Sequence, residues 1–245
     1  MKAKTALITG ASQGLGRALL VALAKQGTSV VGVARGAAKL EEALGEARAA
    51  ARANGHTDAI VEGVVADVGK PGVSARIAAE AATKIGDIDV VVHNASTLGP
   101  VPLRPLVDVD EVDLARVFLT NTVGPLALTK AIVGAMVVRG RGTIAFISSD
   151  AAVEAYPTWG PYGAAKAAAA HAARVLAAEL DGSGVRVVSI DPGEMDTKMH
   201  ADAIPDADRA TLARPDDVAR RIVRILDDDA TYQSGTRAKA SEVLL

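Results

Sequence analysis

Thr5-Ala6-Leu7-Ile8-Thr9-Gly10-Ala11-Ser12-Gln13-Gly14-Leu15-Gly16 is the stretch that decides the fold. Its first part, with Lys4, is a short apolar run of strand type. Beyond the glycines, Leu15, Leu19 and Leu23 recur every four residues, which predicts a helix over 14–26. Glycines between a strand and a helix let the backbone turn sharply and let a diphosphate approach closely. The helix start adds free N–H groups and a partial positive charge for that anion. Position is what gives the glycines meaning here, since glycines also punctuate ordinary loops.

Outward from this turn, β-branched runs alternate with longer helical patterns. Strands are expected at 4–9, 29–34, 59–66, 88–92, 143–147 and 185–190. Helices are expected at 37–53, 73–85, 109–119, 125–139, 163–180 and 216–226, the last introduced by Pro215. Such alternation needs crossover connections. It implies an α/β fold: a single doubly wound, Rossmann-type parallel sheet with helices on both faces. Continuous apolar runs such as Val90-Val91-Val92 suit strands buried on both sides. No linker or repeat divides the chain, so residues 1–245 are expected to form a single dinucleotide-binding and catalytic domain. The polar stretch 191–214, with Pro192 and Pro205, is expected to be a substrate lid. Residues 232–245 have no clear pattern, and a final edge strand is one reading of them.

Composition narrows the function classes. With 245 residues, 49% of them hydrophobic, the chain can bury a large core. A net charge of -2 without a basic run argues against a nucleic-acid partner. The absence of cysteine excludes disulfides and cysteine-based metal sites; no metal is expected. It also fits a reducing compartment, and a cytoplasmic location is expected. The basic start, Met1 to Thr5, is followed by too few apolar residues for a signal-peptide core. No run of eighteen apolar residues occurs, so no membrane span is expected.

Tyr162 and Lys166 stand four apart in Pro161-Tyr162-Gly163-Ala164-Ala165-Lys166. A helix puts them on one face. A free phenol titrates near about 10 and is a poor proton shuttle at neutral pH. A neighbouring cation favours the phenolate, so Lys166 is expected to lower the pKa of Tyr162 and make the pair a general acid/base. The same spacing also arises on ordinary solvated helix faces.

Other signals fall into an order. The glycine turn has the form Gly-x-x-x-Gly-x-Gly; Asp67-Val68, His93-Asn94-Ala95-Ser96, Asn121, Ser149 and Pro192-Gly193-Glu194-Met195-Asp196-Thr197 follow. Ser149 lies thirteen residues before Tyr162. With these motifs the chain resembles the short-chain dehydrogenase/reductase family over nearly its whole length. His93 and Ser96 stand where that family usually has Asn and Gly, and the Gly-rich C-terminal ending common in it is missing. A hydrogen-bonded strand-end histidine is the favoured reading of His93.

The resemblance implies an oxidoreductase acting on a small carbonyl/alcohol substrate, most simply a ketone or aldehyde reductase. It implies that Gly10, Ser12, Gln13, Gly14, Leu15, Gly16, Asp67, Val68, Asn94, Ala95, Pro192, Gly193 and Thr197 contact the cofactor, together with Tyr162 and Lys166. It implies that Tyr162 exchanges a proton with the substrate oxygen, that Ser149 hydrogen-bonds that oxygen, and that Asn121 holds a relay water behind Lys166. Ser148 and Ser149 also suit strand-end caps; the thirteen-residue interval favours Ser149 as the active one. A homodimer or homotetramer is implied as well.

The end of the second strand, Val33-Ala34-Arg35-Gly36, has no carboxylate to repel a 2′-phosphate, and Arg35 can pair with one. NADP(H) is therefore expected, with NAD(H) as the alternative; Arg35 and Lys39 also suit plain surface positions. Tyr156, Trp159 and Tyr162 are half of the six aromatic residues, and the first two either shape a pocket or pin a loop. Met195 and Met199 suit a deformable lining or ordinary packing. Two other classes remain open: a non-catalytic dinucleotide-binding regulator, and a non-redox enzyme on the same scaffold.

Overall fold

The computed structural model describes residues 5–244. Met1 to Lys4 and Leu245, which include the first residue of the expected opening strand and the basic N-terminal start, lie outside the described residues. Seven strands form one parallel sheet: β1 (Thr5–Thr9), β2 (Ser29–Ala34), β3 (Val61–Val65), β4 (Val90–His93), β5 (Gly142–Ile147), β6 (Val185–Asp191) and β7 (Arg237–Lys239). Their spatial order is β3-β2-β1-β4-β5-β6-β7, with every pair parallel. The order reverses between β1 and β4, and a crevice opens there at the carboxyl ends of the strands.

Helices cover both faces. Leu15, Leu19 and Leu23 of α1 (Gly14–Ala24), Leu40 and Leu44 of α2 (Ala37–Ala53), and Ile222 and Ile225 of α8 (Pro215–Asp227) pack on one side. Ile77 of α3 (Ser74–Ile85), Leu128, Ile132 and Met136 of α5 (Gly124–Arg139), and Ala169 and Ala173 of α6 (Gly160–Glu179) pack on the other. All four residues of β4 and all seven of β6 are buried, as strands covered on both faces must be.

Several boundaries differ from the sequence expectation, each for a local reason. The third strand is shorter than 59–66. The helix carrying Tyr162 starts at Gly160, because Pro161 takes a first-turn position where its missing N–H costs nothing. The two expected helices at 109–119 and 125–139 are α4 (Glu111–Phe118) and α5, joined without a break by one π turn, Leu119–Val123. This run, Glu111–Arg139, is long and apolar enough to cross a membrane by length and composition, yet its Leu128, Ile132 and Met136 are buried against the sheet. The stretch 191–214 is not irregular throughout. It contains α7 (Lys198–Ala203), a 3-10 turn at Arg209–Thr211, and a bridge between Met195 and Ala213. The tail adds β7 at the edge of the sheet, beside β6.

Candidate active site

The crevice at the strand reversal is built by the ends of β1 and β4. Thr9 Oγ1 accepts the backbone N–H of Asn94 at 3.1 Å and of Ala95 at 3.0 Å. Asn94 Nδ2 donates to the Thr9 carbonyl at 2.9 Å and the Gly10 carbonyl at 3.3 Å. The two loops are thereby one rigid unit. A side chain at Gly10 would put its Cβ 2.8 Å from Ala95 Cα, and one at Gly16 would collide with the Gly10 carbonyl. Both glycines are needed for this close packing. Gln13, at the N-cap of α1, makes no side-chain cap hydrogen bond, so the first N–H groups of the helix have no side-chain cap.

Gly10, Ser12, Gln13 and Leu15 line the resulting cleft on one side. Arg35, at the end of β2, and Asp67 and Val68, after β3, extend it. Asn94, Ala95, Tyr162, Lys166 and Pro192 line its other end. Asp67 accepts the Gly69 N–H at 3.0 Å, which shapes its own turn. Gly14 and Gly16 do not line the cleft: Gly16 packs behind Gly10, and Gly14 faces the Thr197 side chain across ordinary contact distance. Thr197 caps α7 by accepting the His200 N–H at 3.2 Å. Gly193 lies on a second pocket instead.

Tyr162 and Lys166 do share the inner face of α6, 8% and 4% exposed. Lys166 Nζ donates to the Ile147 carbonyl at 2.7 Å and stands 5.5 Å from the Tyr162 ring centroid. The expected lowering of the phenol pKa is not what this geometry produces. Burial pushes Tyr162 up to about 12; the Ser149 hydroxyl opposes the rise, and the Asp150 and Asp191 charges add to it. Burial also pulls Lys166 down to about 8. The ammonium is directed at a carbonyl and lies over the ring, so desolvation outweighs its attraction for a phenolate.

Ser149 lies on the far side of Tyr162, on the second pocket, as do Tyr156, Trp159, Met195 and Met199. Ser149 Oγ donates to Asp150 Oδ1 at 2.8 Å and accepts the Ala151 N–H at 3.2 Å. This pocket holds about 230 Å³ and adjoins the cleft at Ser148, Tyr162, Pro192, Met195 and Met199. The two cavities therefore meet at the phenol.

Asn121 is buried in the π turn. Its Oδ1 accepts the Thr97 N–H at 2.9 Å and the Ser96 hydroxyl at 3.2 Å, and its Nδ2 donates to the Thr97 carbonyl at 2.9 Å. The side chain thus pins the loop after β4. The next residue, Thr122, donates to the Ala165 carbonyl at 2.9 Å, next to Lys166. A π turn widens the helix by one residue, which is how one segment reaches both the loop and α6.

The chain matches the short chain dehydrogenase family model over residues 4–208. It belongs to the short-chain dehydrogenase/reductase family. This family member is 36% identical over 239 residues to 1-deoxy-11-beta-hydroxypentalenate dehydrogenase of Streptomyces exfoliatus, covering 95% of this chain and 82% of that one. It is 28% identical over 249 residues to 2-(S)-hydroxypropyl-CoM dehydrogenase 3 of Xanthobacter autotrophicus, covering 96% and 94%. A solved short chain dehydrogenase from Shigella flexneri, complexed with NADP, superposes with a TM-score of 0.87 at 26% identity and 97% coverage of both chains.

Sequence reasoning missed three side chains of this dehydrogenase's site. Asp150 binds the Ser149 hydroxyl, and its position next to Ser149 was a visible signal. Arg237, on β7, donates to the Ser149 carbonyl at 3.0 Å and to Asp191 Oδ2 at 2.9 Å. Asp191 in turn accepts the Gly193 N–H at 3.1 Å. Arg237 lies 88 residues from Ser149, with no local pattern to announce it. His93 is buried at the end of β4, with Nε2 2.8 Å from Thr129 Oγ1 and its ring against Phe146. Burial pushes its pKa down to about 3, which keeps it neutral and structural.

Proposed function

We propose that the protein is an NADP(H)-dependent reductase that interconverts a small ketone or aldehyde and its alcohol. The observation that carries this reading is the meeting of the two cavities at the buried Tyr162 phenol, with Lys166 one helical turn behind it. The nicotinamide, when bound, supplies or accepts the hydride. The glycine turn and the start of α1 hold the diphosphate, and Asp67 and Val68 flank the adenine. Arg35 supports NADP(H) over NAD(H). It lines the cleft, makes no ion pair among the described residues, and no carboxylate stands beside it at the end of β2 to repel a 2′-phosphate.

Tyr162 keeps its proton at neutral pH and gives it to the substrate oxygen, which is the reducing direction. Lys166 stabilises the phenolate left behind. Ser149, whose hydroxyl proton is directed at Asp150 in the structure, turns it to the substrate oxygen where charge develops. Asn121 pins the Ser96–Thr97 loop while Thr122 ties the same turn to α6, and a relay water behind Lys166 completes the proton path. Subunits pair as a homodimer or homotetramer through α4, α5 and α6. Val112, Val138 and Val175 on these helices are exposed, Val138 by 88%, and apolar helix faces favour association.

Turnover of a carbonyl panel with NADPH and NADH tests the reading, with cofactor binding followed by fluorescence. Tyr162→Phe is expected to lose about 10²–10⁴-fold in kcat while NADPH affinity stays nearly unchanged. Full activity in that variant defeats the mechanism. Binding without turnover across the panel favours a regulatory role.

A further inference from the structure

The pocket beyond Tyr162 has an unbalanced charge. Its walls are apolar, formed by Leu98, Trp159, Met195, Met199, Ala203 and Ile204. Its charged lining is acidic: Asp150, Asp191 and Glu194, with no lysine or arginine among the described residues that line it. Two of these carboxylates have a basic neighbour. Asp191 is paired with Arg237 at 2.9 Å, and Glu194 stands 3.7 Å from His200 Nε2. Among the described residues Asp150 has only neutral donors, namely Ser149 Oγ at 2.8 Å, the Ala151 N–H at 2.8 Å and the Tyr156 hydroxyl at 2.9 Å. Burial works against its charge, yet these hydrogen bonds hold its carboxyl below the ordinary carboxylate range, so it is ionised at neutral pH. Two cations of the lid are held by other carboxylates: Arg209 is paired with Asp196 and Lys198 with Asp202.

Aromatic side chains line the same pocket, and the Tyr156 hydroxyl donates to Asp150. Tyr156 and Trp159 meet edge to face with centroids 6.2 Å apart, and Trp159 and Tyr162 do the same at 5.8 Å. A ring attracts a cation that lies over its face. The floor carries a separate sign of a ligand. Ser148 is 4% exposed, lines both cavities, and its hydroxyl has no hydrogen-bond partner among the described residues. A buried hydroxyl left unmatched is costly, and a neutral polar atom of a bound molecule would satisfy it.

We infer that this pocket selects an uncharged or cationic carbonyl/alcohol compound with an apolar body and discriminates against anionic ones, with Asp150 as the residue that sets the discrimination. The inference rests on the assignment of the pocket as the substrate side of Tyr162. A carboxylate brought close to Asp150 meets like-charge repulsion that solvent at the mouth only partly screens, which corresponds to roughly tenfold or more in affinity.

Three acetophenones test it, substituted at the ring position opposite the acetyl group with methyl, trimethylammonium or carboxylate. Trp159 is the one tryptophan of the chain, so its fluorescence reports occupancy of this pocket without any need for turnover. Titrations run with and without NADP+, which cannot reduce a ketone. The carboxylate is expected to bind at least about tenfold more weakly than the methyl compound, and the ammonium as tightly or more tightly. Added salt is expected to narrow this gap in the wild-type protein. Asp150→Asn, nearly isosteric, is expected to shrink it to under about threefold, and Glu194→Gln to leave most of it. Equal binding of carboxylate and methyl compounds, a gap that ignores both salt and Asp150→Asn, or no binding of any of the three overturns the inference. Turnover with NADPH is measured separately. Charge-ordered binding without turnover sinks the reductase reading alone, and turnover without charge order sinks the charge selection alone.

Discussion

Lys166 carries more of the site's physics than its position in a motif suggests. Its ammonium titrates at 10.5 in an unfolded chain and at about 8 when folded, because burial disfavours the charge. Between those values the unfolded chain holds a proton that the folded chain has released, so stability rises with pH across that window. Tyr162 acts oppositely. Its pKa is raised from 10 to about 12, so the folded chain keeps the proton longer and stability falls as pH climbs above 10. Denaturant unfolding of wild type and Lys166→Met, compared between pH 8 and 10, should show a rise in the wild type that the variant lacks. Parallel curves would place the ammonium in water. Arg35 offers a second test at this scale. Arg35→Asp puts a carboxylate where a 2′-phosphate would lie, and the ratio of kcat/KM for NADPH over NADH should fall by about tenfold or more. A variant that still prefers NADPH would show that the phosphate is held elsewhere. Gly10, Asn94, Tyr162 and Lys166 were all legible one by one in the sequence. The direction of the phenol's pKa was not, because desolvation depends on everything packed around α6.

Elements bring these residues into place, and their ends matter most. Periodicity located every helix of more than eight residues, and continuous apolar runs located six strands. Ends were less legible, since they depend on caps and neighbours. The π turn at Leu119–Val123 has no period of its own. It exists because Asn121 is bound to Thr97 while Thr122 is bound to α6. The end of α8 is a similar case. Arg186, on β6 and 8% exposed, donates to the carbonyls of Ile225, Leu226, Asp228 and Tyr232 at 2.6–3.3 Å. A guanidinium thus satisfies carbonyls that the last helical turn leaves open. Arg186→Met strands several of them in a buried site. It should cost about 3 kcal/mol, or roughly 6–12 °C in Tm at this chain length. Calorimetry with an unchanged Tm would show that water reaches those carbonyls.

For the whole molecule, the strand order is what makes a site. The reversal between β1 and β4 opens the crevice; the glycine turn, Asp67-Val68, Asn94-Ala95, Ser149 and Pro192 follow the carboxyl ends of strands, while α6 brings in Tyr162 and Lys166. Exposed valines on α4, α5 and α6 belong to this scale too. Sedimentation at micromolar concentration should give two or four times the 24.9 kDa of one chain, and Val138→Asp combined with Val175→Asp should lower it. A single species of one chain's mass would overturn the proposed assembly.

The alternation of short apolar runs with helical patterns determined the class of fold, since strands followed by crossover helices leave few ways to bury both. The glycine turn and the Tyr162–Lys166 spacing determined what chemistry to look for, because backbone clearance and helical pitch are local properties. Arg237 behind Ser149 and the rise of the phenol's pKa were decided only by tertiary structure. Each depends on which distant groups share a desolvated volume, and in a chain of 245 residues that follows from packing rather than from spacing.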